Sequence, residues 1–349
     1  MARLRPRRNV SAAFLAATLL FVAPQSRYWQ EAPPLPEPVS NNAVAAVEMV
    51  EGASVFSFLG IDSTRAWDGV VNAAYRWIVS GDGWTEASPV PGPGRLAATA
   101  QAVGGRVYVF GGYTVAPDGS EKSVPNVDIY DPDGDTWRRG ADIPLPVDDA
   151  VSGVWRDSLI YLVSGWHDTG NVDRVQIYDP ALDIWQQGTP IPGTPVFGHS
   201  GAISGDAIVY AGGARVTGGS PRYAIEPSAW RGDIDPANPG SISWRSVPMN
   251  PGPSLYRAAG GSILGYVVFA GGTANPYNYD GIGYDGVAAE PEPGVFAYEV
   301  EQDRWVELAD MDVPTMDHRS IVLLPDGRLV LVGGMEAGQR VTRRVALTR

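Results

Sequence analysis

The chain of 349 residues contains no cysteine. That excludes disulfides, thiolate metal centres, cysteine nucleophiles and a lipidated N-terminal cysteine. Histidine is scarce: His167, His199 and His318 are the three in the chain, and no two stand at a metal-ligand spacing. They are read as surface or hydrogen-bonded side chains, and no metal or cofactor is expected. Positive charge is also short, with 26 Lys and Arg against 39 Asp and Glu, a net charge of −13. A surface of that sign disfavours nucleic acid and anionic membranes. A long membrane-spanning run is missing too. The apolar stretch 10–23, behind Arg3, Arg5, Arg7 and Arg8, is short and rich in small residues. It reads as an export signal over residues 1–26, with an uncleaved anchor as the alternative. Removing it takes the net charge to −17. The expected location is periplasmic or secreted.

What the chain does have is 42 Gly, 30 Pro and 11 Trp. Glycine and proline with many aromatics indicate short strands and tight turns rather than disorder. One pattern recurs six times. A strand ends in two small residues, Leu59-Gly60, Gly111-Gly112, Ser164-Gly165, Gly212-Gly213, Gly271-Gly272 or Gly333-Gly334. A variable loop, a second strand and then a Trp follow. That Trp series is Trp29, Trp84, Trp137, Trp185, Trp244 and Trp305, with spacings of 55, 53, 48, 59 and 61 residues. A period near 50 with four strands per unit resembles the kelch blade, and it predicts an all-β, six-bladed kelch-type β-propeller over residues 27–349. Trp29 precedes the first small pair and no Trp follows the last. The last blade therefore lacks an outer strand. Residues 28–31 are expected to supply it beside residues 341–347, closing the ring and removing an exposed edge.

Ligands of propellers bind where loops gather at the channel mouth. The links entering each blade place Arg95, Asp149, His199, Tyr256, Arg257, His318 and Arg319 there. The loops after the small pairs add Trp67, Trp166 and Arg222, and the long loop 273–294 adds Tyr279. Aromatic faces beside Asn, Asp and Arg suit a sugar, whose C–H faces stack while its hydroxyls pair. These tyrosines either line such a site or cover the top of the barrel. Asp148-Asp149 is either an acid/base pair or a solvated loop. Arg257 and Arg319 either clamp a carboxylate or pair with neighbouring acids.

Val90-Pro-Gly-Pro-Gly-Arg95 leading to Val107-Tyr-Val-Phe-Gly-Gly112, and Val268-Phe-Ala-Gly-Gly-Thr273 before a Tyr/Asn-rich loop, are similar to blades of the bacterial N-acetylneuraminate epimerase family. That resemblance implies a sugar-acid mutarotase without a cofactor. It implies a Glu and an Arg after the fourth small pair; here Ala214 stands at the Glu position, and Arg222 or Arg215 at the Arg position. Arg222, Asp149 and His318 are the candidate catalytic residues, and the other channel-mouth residues are candidates for substrate binding. Galactose oxidase also has kelch repeats, but the chain lacks the Cys that its Tyr–Cys cofactor requires. Two functions remain open: a sugar-acid isomerase, or a non-catalytic propeller that binds a glycan or a protein partner.

Overall fold

The computed structural model describes residues 28–349. The expected export signal, residues 1–26, lies outside them. Six four-stranded antiparallel sheets form the blades of a propeller, and four two-stranded ribbons stand on them. Blade one is built from Ala43–Met49, Gly52–Phe58, Ala74–Ile78 and Trp84–Ala87, and the next four follow the same order. The ribbons arise from the loops after the small pairs, for example Tyr113–Val115 with Glu121–Ser123.

The second strand of each blade is apolar at nearly every position because both faces of it are covered. In Arg106–Phe110, Val107 and Val109 pack with Phe56 and Phe58 of blade one. Tyr108 and Phe110 pack with Ile160, Leu162 and Tyr178 of blade three. One strand thus contributes to two inter-blade cores, at roughly 1.5–3 kcal/mol per buried side chain. Both residues of every small pair have a positive φ. A Cβ on Gly112 would lie 2.5 Å from the Leu96 carbonyl oxygen, so glycine there lets the link loop close over the strand end.

The Trp series locks neighbouring blades together. Each indole N–H reaches a carbonyl four residues after the previous blade's Trp: Trp84 to Pro33 (2.8 Å), Trp137 to Ser88 (2.8 Å), Trp185 to Ala141 (2.9 Å), Trp244 to Thr189 (3.1 Å) and Trp305 to Pro248 (2.6 Å). Trp29 is buried, but its Nε1 has no acceptor among the described residues.

The ring closes through the N-terminal strand. Trp29–Glu31 pairs with Val345–Thr348 in the register Trp29 to Thr348, completing the blade of Val322–Leu323 and Leu329–Val332. The partner begins at Val345 rather than at residue 341, because Arg340–Val341 turns back onto Met335–Glu336 as a ribbon.

Candidate functional site

The six link loops share one backbone course. Their first residues, Ser40, Leu96, Asp148, Phe197, Tyr256 and Met316, each pair with the residue that follows a small pair. Their second residues, Asn41, Ala97, Asp149, Gly198, Arg257 and Asp317, all have positive φ, from 50° to 67°. The first position therefore turns up toward the ribbons and the second turns in toward the axis. The axial residues are stitched into a ring. Asp149 N–H donates to Ala97 O (3.0 Å), Gly198 to Asp149 (2.9 Å), Arg257 to Gly198 (2.7 Å), His318 to Arg257 (3.1 Å) and Asn41 to Asp317 (3.0 Å). The Asn41 side-chain oxygen accepts from Ala97 N–H and completes it.

The side chains of this ring form a buried ionic plug. Arg257 donates to Asp149 through Nε (3.2 Å) and Nη2 (2.7 Å), and to Asp317 through Nη1 (3.1 Å). Arg319 also donates to Asp149. Asn41 and Ser40 donate to the two oxygens of Asp317, at 2.8 and 2.6 Å. Every carboxylate oxygen in the plug is engaged. Burial alone would raise the Asp149 carboxyl, but the guanidiniums of Arg257 and Arg319 outweigh it and hold the acid below its usual range. Burial would likewise lower Arg257, yet Asp149 beside it raises that guanidinium well above its ordinary value.

The histidines on the links are buried and neutral. His199 Nε2 contacts Val163 O at 3.0 Å, and His318 Nε2 contacts Thr315 Oγ1 at 2.8 Å. Burial holds each imidazole down to about 4. Arg95 is buried against Asp128 at 2.6 Å, and Tyr256 is fully buried beside Tyr277. Trp67 is 44% exposed on a short turn of blade one, and Tyr279 packs by Ile61, Leu96 and Tyr113. The candidates His199, His318, Arg95, Tyr256, Trp67 and Tyr279, like Asp149, Arg257 and Arg319, do not line the open pocket described next.

Above the plug lies an open pocket of about 420 Å³, walled by Tyr113, Trp166, Tyr223 and Tyr284, with Glu121, Ser123, Asp148, Asp168, Arg222 and Asn278 among its other lining residues. Of the residues proposed from sequence, Trp166, Arg222 and Asp148 meet here. The Arg222 guanidinium stacks 5.7 Å from the Trp166 ring centre and 5.2 Å from that of Tyr223. It has no ion-pair partner among the described residues. Tyr223 and Tyr284 pack at 4.4 Å. The loop 273–294 reaches across the mouth from blade five. Arg65 of blade one donates to Asp280 O (2.5 Å) and Gln339 of blade six to Ala289 O (2.6 Å). Its tyrosines divide the two roles considered above: Tyr277 covers the plug, and Tyr284 lines the pocket.

Sequence reasoning offered Asp148 only as half of an Asp148-Asp149 acid/base pair and did not select Glu121. Burial, and then the charge of neighbouring Asp149, push the Asp148 carboxyl well above its ordinary range. Desolvation at the pocket rim raises Glu121 as well. The signal for Asp148 is in the aligned links, where an acid replaces the Leu96, Phe197, Tyr256 or Met316 of other blades. Glu121 sits in a loop of variable length, which offers no such alignment.

Residues 94–144 match the kelch motif. Kelch repeat and BTB domain-containing protein 12 of Danio rerio is 27% identical over 128 residues, 34% of this chain and 20% of that protein. The chain thus spans about a fifth of that relative's length. The solved structure described as "Structure of YjhT" aligns with a TM-score of 0.70 over 91% of this chain and 95% of that one, at 17% identity. The likeness is one of fold, and with the motif it marks the chain as a six-bladed kelch-type β-propeller.

Proposed function

We propose that the pocket over the plug binds a carbohydrate, in particular a sugar acid, and interconverts its anomers by proton transfer with no cofactor. The observation that carries this reading is the set of unengaged polar groups converging between aromatic walls. Arg222 is free of any carboxylate among the described residues, and Glu121 makes no hydrogen bond there. Such a lining is what a polyhydroxylated ligand with one acidic group requires. Arg222 would take the carboxylate, while Trp166, Tyr223 and Tyr284 would face the ring. Arg257, Arg319, Asp149, Arg95, Tyr256, His199 and His318 enter this reading as the frame beneath the ligand. An exported protein, periplasmic or secreted, would meet such ligands outside the cytoplasm.

A second reading, a non-catalytic propeller that holds a glycan or a protein partner, is favoured by Ala214. It is fully buried at the position where the resembling family has its Glu. Proton NMR of N-acetylneuraminate with the protein separates the two. Line broadening with faster anomer exchange supports the isomerase, and broadening alone supports the binding module. Arg222→Ala should weaken binding by roughly 10- to 100-fold, the loss of one charge-assisted contact. Unchanged binding in that variant would remove Arg222 from the site.

A further inference from the structure

We infer that Glu121 and Asp148 are the proton-carrying carboxyls of this pocket. The inference rests on the isomerase reading above and supplies the acid and base that Ala214 cannot. Both line the cavity that holds Arg222. They come from different blades, Glu121 from the ribbon of blade two and Asp148 from the link into blade three. Two such acids can therefore reach different atoms of one bound ring. Both have oxygens to offer. Glu121 makes no hydrogen bond or ion pair among the described residues, and Asp148 accepts a single bond, from Ser123 Oγ at 2.6 Å to Oδ2.

Asp148 is also held in place. The Ser123 hydroxyl accepts from Asp168 N–H (3.3 Å), which directs its own proton to Asp148, while Ser123 N–H donates to Asp168 Oδ1 (2.9 Å). Ser123 is thus a positioning residue. An acid at a buried position that is apolar in four other links costs stability, and a functional site is where such a cost persists. The charges facing the pair agree with the roles. Burial, Asp149 and Glu121 raise Asp148, while Ser123 and Arg257 oppose them. Desolvation and Asp149 raise Glu121, while Arg257 opposes them. Arg222 and Asp168 line the same cavity. The more deeply buried Asp148 carries the proton, and Glu121 is the base.

The chemistry balances without a co-reactant. Glu121 takes the proton of the anomeric hydroxyl, and that O–H electron pair becomes the second bond of the carbonyl. The bond from the anomeric carbon to the ring oxygen breaks, its pair stays on the ring oxygen, and that oxygen takes the proton of Asp148. After rotation of the open chain the steps reverse on the other carbonyl face: Asp148 takes back the proton of the attacking hydroxyl, and Glu121 gives its proton to the new anomeric oxygen, which restores both carboxyls.

The test is anomer exchange and line broadening of N-acetylneuraminate with wild type, Asp148→Asn, Glu121→Gln and Ser123→Ala, across pH. Both carboxyl variants should bind within about threefold of wild type and lose about 100-fold or more of the acceleration. The wild-type rate should fall at low pH as Glu121 protonates and at high pH as Asp148 ionises. Ser123→Ala should move the high-pH limb upward, because its hydroxyl stabilises ionised Asp148. If wild type accelerates exchange and either carboxyl variant matches it, the pair is overturned and the isomerase reading stands. If wild type binds without acceleration, the pair falls and the binding module remains. If it does neither, both readings fail.

Discussion

Asp148 and Asp149 are consecutive in the chain and occupy opposite electrostatic worlds. Asp149 turns to the axis, where Arg257 and Arg319 engage both of its oxygens. Asp148 turns up beside Trp166, with one neutral donor and no cation bonded to it. The same burial that both experience is overcome in the first by two guanidiniums and reinforced in the second by the charge of the first. The axial cluster, rich in paired charge, is a plug that fixes six blades around a point. The upper cluster, with its carboxyls unspent, is where a ligand finds partners. A dense group of charged residues at a channel mouth is therefore no guide to chemistry until the bonds of each oxygen are traced.

The largest expected effect breaks this pair apart by one isosteric change at each position. Asp149→Asn keeps the shape and tolerates the left-handed backbone at φ 51°. It leaves Arg257 and Arg319 buried and short of charge, and should cost about 3–5 kcal/mol in urea unfolding at pH 7. Asp148→Asn removes a carboxyl that burial and Asp149 already push well above its usual range and that pairs with no cation among the described residues, and it should change stability by less than about 1 kcal/mol. Equal costs at the two positions would show that the plug and the pocket do not differ in the way described.

The next effect separates the plug's histidines from its acids. In the folded chain His199 and His318 take up protons at about 4, whereas unfolded histidine does so near 6.5. Between those values the unfolded state binds more protons, so stability must fall as pH falls. The loss should approach roughly 3 kcal/mol per histidine below pH 4. Asp149, held below its usual range, stays ionised through most of that window and adds its own loss only as pH drops further. Unfolding midpoints at pH 7 and pH 4.5 should therefore differ less in the double variant His199→Gln, His318→Gln than in wild type. Parallel curves would assign the acid sensitivity elsewhere.

How much of this was legible in the sequence follows from what repeats. The six small pairs and the Trp series recur because every blade meets the same steric demand, and from them the blade count and the closing strand could be read. Position within a link was harder. Asp149, Arg257 and Arg319 drew notice as charged loop residues, but their backbone course decides that they face one another. Aligning Ser40, Leu96, Asp148, Phe197, Tyr256 and Met316 would have isolated Asp148 as the acid in a largely apolar column. Glu121 and Tyr284 reach the pocket on loops whose length differs from blade to blade, so no periodicity could bring them together.

The smallest expected effect asks whether an unsatisfied polar group is by itself a sign of function. Trp29 is 5% exposed with an Nε1 that has no partner among the described residues, so the seam between blades five and six resembles the pocket in that respect. Trp29 lies in a cluster with Met311, Leu331 and Ile321. Trp185→Phe removes ring area and the bond to Ala141, about 1 kcal/mol for the bond alone. Trp29→Phe removes ring area and also a buried donor that had no acceptor, a relief of about 1–3 kcal/mol that offsets the lost contacts. The seam variant should therefore cost less, by about 1 kcal/mol or more in urea unfolding. An equal or greater cost at Trp29 would mean that its indole finds an acceptor in solution, and the pocket's carboxyls would then be the molecule's clearer case of polar groups left open for a ligand.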